Sequence, residues 1–337
     1  MTLTGSGSLK SGSSIACRIT GLGGYRPRQV VDSREVAQRL GIAPEWITSR
    51  TGIESRRRAG SDEPLVEMSV MASELALKDG QVDPVRVDCV VLATATNPQQ
   101  LPAIAPRVAA ALGAANAAAW DINAACAGFC HGLEIVRGLV SSGAARCALV
   151  IGADRMLDVV DPMDRNTAPL FADGAGAAVL EQSAKCGVGP AVWGCDGHQA
   201  DALEIRPPFT GRPDNHGVSA PYLRLKGTTV ARWAAGTVPD VARRALDAAG
   251  VGWKDIGAFV PHQANQRLTE LILERLGAPR GIVVAQDVRT AGNTGGASVP
   301  LALWELASSG RVRHGDLALL LGFGAGFSFA GQVVRIP

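Results

Sequence analysis

Aromatic residues make up only 4% of this 337-residue chain, and it has no long hydrophobic run and almost no net charge. With seven Phe, six Trp and two Tyr, the core has to be filled mainly by Ala, Val, Leu and Ile, which favours small-residue helices packed closely on sheets. No stretch reaches 18 uninterrupted apolar residues, because Asn116, Asp121 and Asn123 break the Ala-rich segment; a membrane-spanning helix is not expected. A formal net charge of +2 argues against a general polyanion binder, so no nucleic-acid partner is expected. At 47% hydrophobic and 19% charged residues, intrinsic disorder is excluded. The seven cysteines (Cys17, Cys89, Cys126, Cys130, Cys147, Cys186, Cys195) form no CxxC and no zinc-finger spacing, which points to a reducing compartment. Residues 1–14, MTLTGSGSLKSGSS, lack the apolar core of a signal peptide and read as a flexible tail on a soluble, cytoplasmic protein.

What the chain does contain is a repeat. At a constant offset of 167, Leu139, Ser141, Ser142 and Gly143 fall on Leu306, Ser308, Ser309 and Gly310, and at nearly the same offset VVLATATN (90–97) parallels AFVPHQAN (258–265). The runs CVVLAT, CALVIGA, GAFVPH and LALLLGFG are continuous apolar segments of strand length, as expected of strands covered on both faces. Between them lie helical patterns such as VEMSVMASELALKDG and DVARRALDAAGV, each closed by a glycine. Strands alternating with covering helices predict a parallel or mixed α/β sheet in each of two duplicated halves, 15–185 and 186–337. The Pro/Gly/Asp-rich stretch 197–218 reads as an excursion over the surface or a pocket rim.

The repeat puts Cys126 and Asn293 at equivalent places, each just before a helix, where unpaired N–H groups and positive partial charge favour a thiolate. His262 stands at the end of the apolar strand GAFVP, where side chains emerge into the crevice beyond the strand ends. Taken singly, each has a plainer reading: a buried small hydrophobe for the Cys, a satisfied strand-end group for the His, a turn or cap residue for the Asn. Taken together they make a nucleophile with a hydrogen-bonding pair at one interface between the halves.

AACAGF around Cys126, VPHQAN around His262, GNTGGASVP around Asn293 and GFGAGF near the C-terminus resemble the active-site motifs of β-ketoacyl-acyl-carrier-protein synthase III, a condensing enzyme of the thiolase superfamily. EWITSRTGIESR (45–56), DPMDR (161–165) and LFADGAGAAVL (170–180) match in the same order, so the likeness spans about residues 15–337. It implies a five-layered αβαβα thiolase-like fold and a homodimer. It also implies a ping-pong reaction without metal or organic cofactor, in which acyl-CoA and malonyl-acyl carrier protein are the substrates. By the resemblance, Cys126 takes the acyl group, the backbone N–H groups of Cys126 and Ala325 form the oxyanion hole, and Phe323 is a gate. His262 and Asn293 hydrogen-bond the malonyl thioester oxygen. Trp46 and Arg165 match the pair that sandwiches the CoA adenine, Arg50 a CoA-phosphate contact, and Asn265 and Arg267 the tunnel mouth, with Arg267 also implicated in carrier-protein docking.

The residues around these motifs carry expectations of their own. Arg56, Arg57 and Arg58 form a basic cluster that reads as a solvated face, in preference to a contact for an acidic carrier protein; Cys130 reads as core packing, and His131 has no assigned role. Leu101 stands where the family often places a Phe that reaches the partner's acyl pocket, which suggests a primer wider than acetyl. Gly295-Gly296 replaces the frequent Ser-Ala beside Asn293, and 197–218 matches weakly. An acyltransferase passing its acyl group from Cys126 to another acceptor without decarboxylation is the alternative reading, and a non-catalytic partner subunit a third.

Overall fold

A computed structural model describes residues 15–207 and 221–337, so the tail 1–14 and the 208–218 part of the excursion lie outside the described residues. The first half begins with β1 (Ala16–Tyr25). A small antiparallel pair follows, β2 (Gln29–Asp32) and β3 (Ser55–Arg58), with α1 (Ser33–Leu40) and α2 (Pro44–Thr51) between its strands. Next come α3 (Leu65–Asp79), β4 (Cys89–Ala93), α4 (Ala105–Leu112), β5 (Ala118–Ile122), α5 (Gly128–Ser141), β6 (Cys147–Arg155) and β7 (Asp173–Ser183). The five long-range strands form one sheet in the order β1-β7-β6-β4-β5, with β4 parallel to β5 and β6, and β7 antiparallel to its neighbours.

The second half starts with β8 (Val192–Gly194), the hairpin strands β9 (Leu203–Arg206) and β10 (Tyr222–Leu225), and α6 (Gly227–Ala249). It continues through β11 (Ile256–Pro261), α7 (Gln266–Leu276), β12 (Val283–Val284), α8 (Val288–Ala291), α9 (Ser298–Ser308), β13 (Leu317–Phe323) and β14 (Phe329–Arg335). Its sheet order, read from β8, is β8-β14-β13-β11-β12, which repeats the first sheet strand for strand.

Three buried clusters give five layers. α5 and α9 lie between the sheets, where Leu133, Val136, Leu303 and Leu306 share one core with Val91, Val150, Val260 and Leu320. Met68 and Ala72 of α3 and Val108 of α4 cover the outer face of the first sheet, against Val90 and Leu149. Val238 and Ala242 of α6 and Ile272 of α7 cover the second, against Phe259 and Leu319. The four apolar runs are the central strands β4, β6, β11 and β13, buried along almost their whole length because helices cover both faces. Cys130 packs fully buried in the middle core, as expected.

Three expectations change. The helix anticipated from Asp240 runs from Gly227, straight through Pro239, because its apolar side is held against the second sheet. Arg56 is not on a solvated face: it is 1% exposed, and its Nη1 and Nη2 donate to Ala168 O at 2.9 Å and Ser33 Oγ at 2.8 Å. Alternation along β3 puts Arg56 and Arg58 on one face and Arg57 on the other; Arg56 is buried, while Arg58, the last residue of the strand, stays exposed. Finally, the repeat register holds only locally. The turns Ala125–Ala127 and Gly295–Ala297 precede α5 and α9 in the same way, so the counterpart of Cys126 is Gly296, and Asn293 enters three residues earlier. The helix C-ends match at the offset of 167 and the N-ends do not, because α5 has 14 residues and α9 has 11.

Candidate active site

Cys126 is held in a short turn between β5 and α5, directly after Ala125, whose φ of 47° is left-handed although it has a Cβ. Such a backbone costs about 1 kcal/mol and persists only where its surroundings enforce it. Here Asn123 Oδ1 accepts the Ala125 N–H at 3.0 Å. The thiol is 7% exposed, and burial, with Asp154 adding to it, pushes its pKa up to about 12. Burial thus favours the protonated thiol and works against the thiolate expected from the helix N-terminus.

His262 follows β11, with its N–H bonded to Leu321 O at 2.6 Å. Its Nδ1 lies 2.6 Å from Ser298 Oγ in the first turn of α9, and its ring meets Phe323 edge-on, 5.1 Å between centroids. Burial alone pushes its pKa down to about 3, so the imidazole is neutral at physiological pH. Asn293 bridges to Phe171, donating its N–H to Leu170 O at 2.9 Å and accepting from Ala172 N–H at 2.8 Å. Its Oδ1 accepts the Gly295 N–H at 3.0 Å, which identifies the oxygen end of the carboxamide and leaves the amide hydrogens as donors. Gly295 has φ 58°, and a Cβ there would overlap Asp154 Oδ2, so the glycine in place of serine fits this turn.

These side chains line one cleft of about 590 Å³, shared by Cys126, His262, Asn293, Asn265, Phe323 and Gly324, with an apolar wall that includes Leu203, Leu225 and Val230. Asn265 also caps α7, its Oδ1 accepting from Leu268 N–H at 2.9 Å. Phe323 is 2% exposed at the end of β13. Ala325 begins the next turn, one residue after Gly324, which packs so tightly on the Cys126 turn that an added Cβ would stand 2.8 Å from Cys126 N.

Trp46, Arg50, Arg165, Arg267 and Leu101 are not in the cleft lining. The cation over the Trp46 ring is Arg50, at 4.8 Å, while Arg165 Nη2 donates to Leu40 O at 3.2 Å. Arg267, on α7, reaches Ser49 O at 3.1 Å and pairs with Glu270. Leu101 is 86% exposed. His131 bonds Phe329 O at 3.2 Å and its ring lies 5.4 Å from that of Trp193.

Two site residues went unnoticed in the sequence. Ser298 sits in a quoted motif but signals its role only through the distance to His262. Asp154 is fully buried beside the Cys126 turn, and no local pattern marks it.

A buried Cys, a neutral His and an Asn gathered at a cleft between duplicated α/β halves define a condensing enzyme of the thiolase fold. Residues 120–197 match the family described as 3-oxoacyl-[acyl-carrier-protein (ACP)] synthase III, and residues 246–336 its C-terminal part. The β-ketoacyl-[acyl-carrier-protein] synthase III of Streptomyces lividans is 45% identical over 320 residues, covering 95% of this chain and 94% of that protein. That of Streptomyces glaucescens is 42% identical, covering 95% and 96%. The crystal structure of the priming β-ketosynthase from the R1128 polyketide pathway superposes with a TM-score of 0.94 at 44% identity, covering 98% of this chain and 99% of that one. The 3-oxoacyl-(acyl carrier protein) synthase III of Pseudomonas aeruginosa PAO1 gives 0.87 at 39%, covering 96% and 98%. The chain belongs to the β-ketoacyl-acyl-carrier-protein synthase III family, acyltransferases that condense an acyl-CoA primer with malonyl-acyl carrier protein to start a fatty-acid or polyketide chain. Among the described residues no helix is long and apolar enough to cross a membrane.

Proposed function

We propose that Cys126, His262 and Asn293 divide the two half-reactions of this condensation. In the first, Cys126 Sγ attacks the acyl-CoA thioester carbon, and the backbone N–H groups of Cys126 and Ala325 hold the oxygen as it gains charge. The C–S bond to CoA breaks. The proton lost by the Cys126 thiol is matched by the one the CoA sulfur takes up, so this exchange needs no net acid or base. In the second, the malonyl carboxylate leaves as carbon dioxide, and His262 and Asn293 donate hydrogen bonds to the thioester oxygen that carries the resulting enolate charge. The enolate carbon bonds to the acyl carbon and expels Cys126, which takes up one proton per turnover.

The observation that carries this reading is the single cleft in which the thiol, the imidazole and a carboxamide with its hydrogens unclaimed by its own loop meet beside apolar walls. Decarboxylation without an electron-sink cofactor must place charge on a carbonyl oxygen, and two neutral donors are the equipment it requires. That requirement favours condensation over acyl transfer to another acceptor.

In this reading CoA enters past Trp46, Arg50 and Arg165, and carrier protein docks near Asn265 and Arg267. The apolar wall of Leu203, Leu225 and Val230 supports a primer wider than acetyl. The enzyme works in the cytoplasm as a homodimer in which Leu101 nears the partner's cleft. The edge strand β5, with all five residues at least partly exposed, supports pairing with a second copy. The functional halves divide at 185/186, between a sheet ending with Ser183 and one beginning with Val192.

The test is intact-protein mass spectrometry after exposure to a panel of acyl-CoAs, with labelled malonyl-acyl carrier protein added next. One acyl mass on the wild-type protein, none on Cys126→Ala, and release of labelled carbon dioxide are expected. An adduct on Cys126→Ala would refute this nucleophile, and acylation without carbon dioxide release from any primer would favour plain acyl transfer.

A further inference from the structure

The neutral His262 ring carries one proton, and the nitrogen that holds it decides what the side chain can do. With the proton on Nε2 it donates to a substrate oxygen; with the proton on Nδ1, Nε2 is a lone pair that can only accept. Hydrogen-bond accounting around Ser298 distinguishes the two. Ser298 is fully buried, and its Oγ has two partners among the described residues: Nδ1 of His262 at 2.6 Å and the N–H of Gln263 at 3.4 Å.

Gln263 N–H can only donate, so it occupies a lone pair of the hydroxyl oxygen. If Nδ1–H also donated to Ser298, the hydroxyl would accept twice, and its own proton would be buried with no acceptor among the described residues. That is the costly arrangement for a group sealed from water. If Ser298 donates to Nδ1 instead, its proton and oxygen are both satisfied. The ring also packs against Phe323, and a 180° turn within its own plane would break the 2.6 Å contact of Nδ1 with Ser298.

We propose that Ser298 is a positioning residue that fixes His262 as the Nε2–H tautomer, making it a hydrogen-bond donor to the substrate and not the base that deprotonates Cys126. The catalytic consequence rests on the condensing role proposed above; the tautomer itself does not. Ser298 never touches substrate. It acts by holding the histidine proton on the nitrogen facing the cleft, so that both His262 and Asn293 present hydrogens to the same oxygen. The proton of the Cys126 thiol then leaves with the CoA sulfur and not through His262.

Long-range ¹⁵N–¹H correlation spectra of histidine-labelled protein read the tautomer directly, with His262→Asn assigning the signal. Wild type is expected to show a neutral Nε2–H ring from pH 6 to 8, and Ser298→Ala a mixed or reversed tautomer. An Nδ1–H ring in the wild type overturns the proposal whatever the enzyme turns over. In kinetics, Ser298→Ala is expected to slow malonyl decarboxylation about tenfold, a fraction of what losing a whole oxyanion donor costs. Acylation of Cys126 should stay within about threefold, since the acylation oxyanion hole uses backbone donors. Ser298→Thr, which keeps the hydroxyl, should restore both the tautomer and the rate. Equal loss of both half-reactions in Ser298→Ala, with the wild-type tautomer retained, would reduce Ser298 to packing and refute the positioning role. Absence of decarboxylation in the wild type would strike the condensing reading and leave the tautomer assignment standing.

Discussion

Gly296 N–H donates to Asp154 Oδ2 at 2.6 Å, tying the turn before α9 to the end of β6 in the other half of the molecule. The other oxygen of Asp154 accepts from Ala95 N–H at 2.8 Å and from the hydroxyls of Thr94 and Thr96 at 3.0 and 2.8 Å, at the end of β4. One buried carboxyl therefore holds together the strand ends behind Cys126 and the turn that follows Asn293. Burial raises its pKa and these four donors oppose the rise.

Asp154→Asn puts an amide NH₂ where a donor already points, leaving at least one buried donor without a partner. A stability loss of about 2 kcal/mol in urea unfolding is expected, with reduced condensation. Unfolding midpoints that coincide with wild type would show that the link between the halves is energetically idle.

Gly324→Ala places a methyl 2.8 Å from Cys126 N and 3.0 Å from its Cβ, so the Cys126 turn has to shift. Since misplacement by about 1 Å costs on the order of a hundredfold in rate, acylation of Cys126 by any acyl-CoA should drop by roughly that factor. The check is the rate of mass gain by time-resolved mass spectrometry, and an unchanged rate would contradict the tight packing of this loop on Cys126.

Asn293→Ala removes one of the two donors assigned to the enolate oxygen but none of those assigned to acylation. The variant should still acquire an acyl mass while its carbon dioxide release falls about a hundredfold, corresponding to roughly 3 kcal/mol. Parallel loss of both steps would contradict the division of labour.

Alkaline stability follows from the buried thiols. Burial pushes Cys17, Cys126, Cys130 and Cys147 up to about 12 and Cys89 up to about 11, against 9.0 when unfolded. Above pH 9 the unfolded chain loses protons that the folded chain keeps, so the stability present below pH 9 declines as pH rises. Denaturant unfolding at pH 8 and pH 10 should show a loss of about 1 kcal/mol per buried thiol, lessened in Cys130→Ala. Equal stability at the two pH values would mean that these thiols ionise freely in the folded protein.

The strands were legible because CVVLAT, CALVIGA, GAFVPH and LALLLGFG are apolar without alternation, and only strands covered on both faces need that pattern. The duplication was legible because the ends of α5 and α9 keep the same Leu-x-Ser-Ser-Gly spacing. Its register at Cys126 was not, since the three-residue difference in helix length is invisible until both helix starts are fixed. Arg56 was misread for a related reason: three consecutive arginines look alike in sequence, and only the fold, which brings Ala168 O and Ser33 Oγ to its guanidinium, makes Arg56 the buried one.

By itself the sequence determined the strand–helix alternation and the repeat and pointed to Cys126, His262 and Asn293 as candidates, because periodicity and residue chemistry are properties of the chain; the five layers came with the family resemblance. The tertiary structure decided the states of those residues. Burial, which no residue carries alone, keeps the thiol protonated and the imidazole neutral. Contacts across distant segments, Ser298 with His262 and Asp154 with Gly296, set the geometry in which those groups can act.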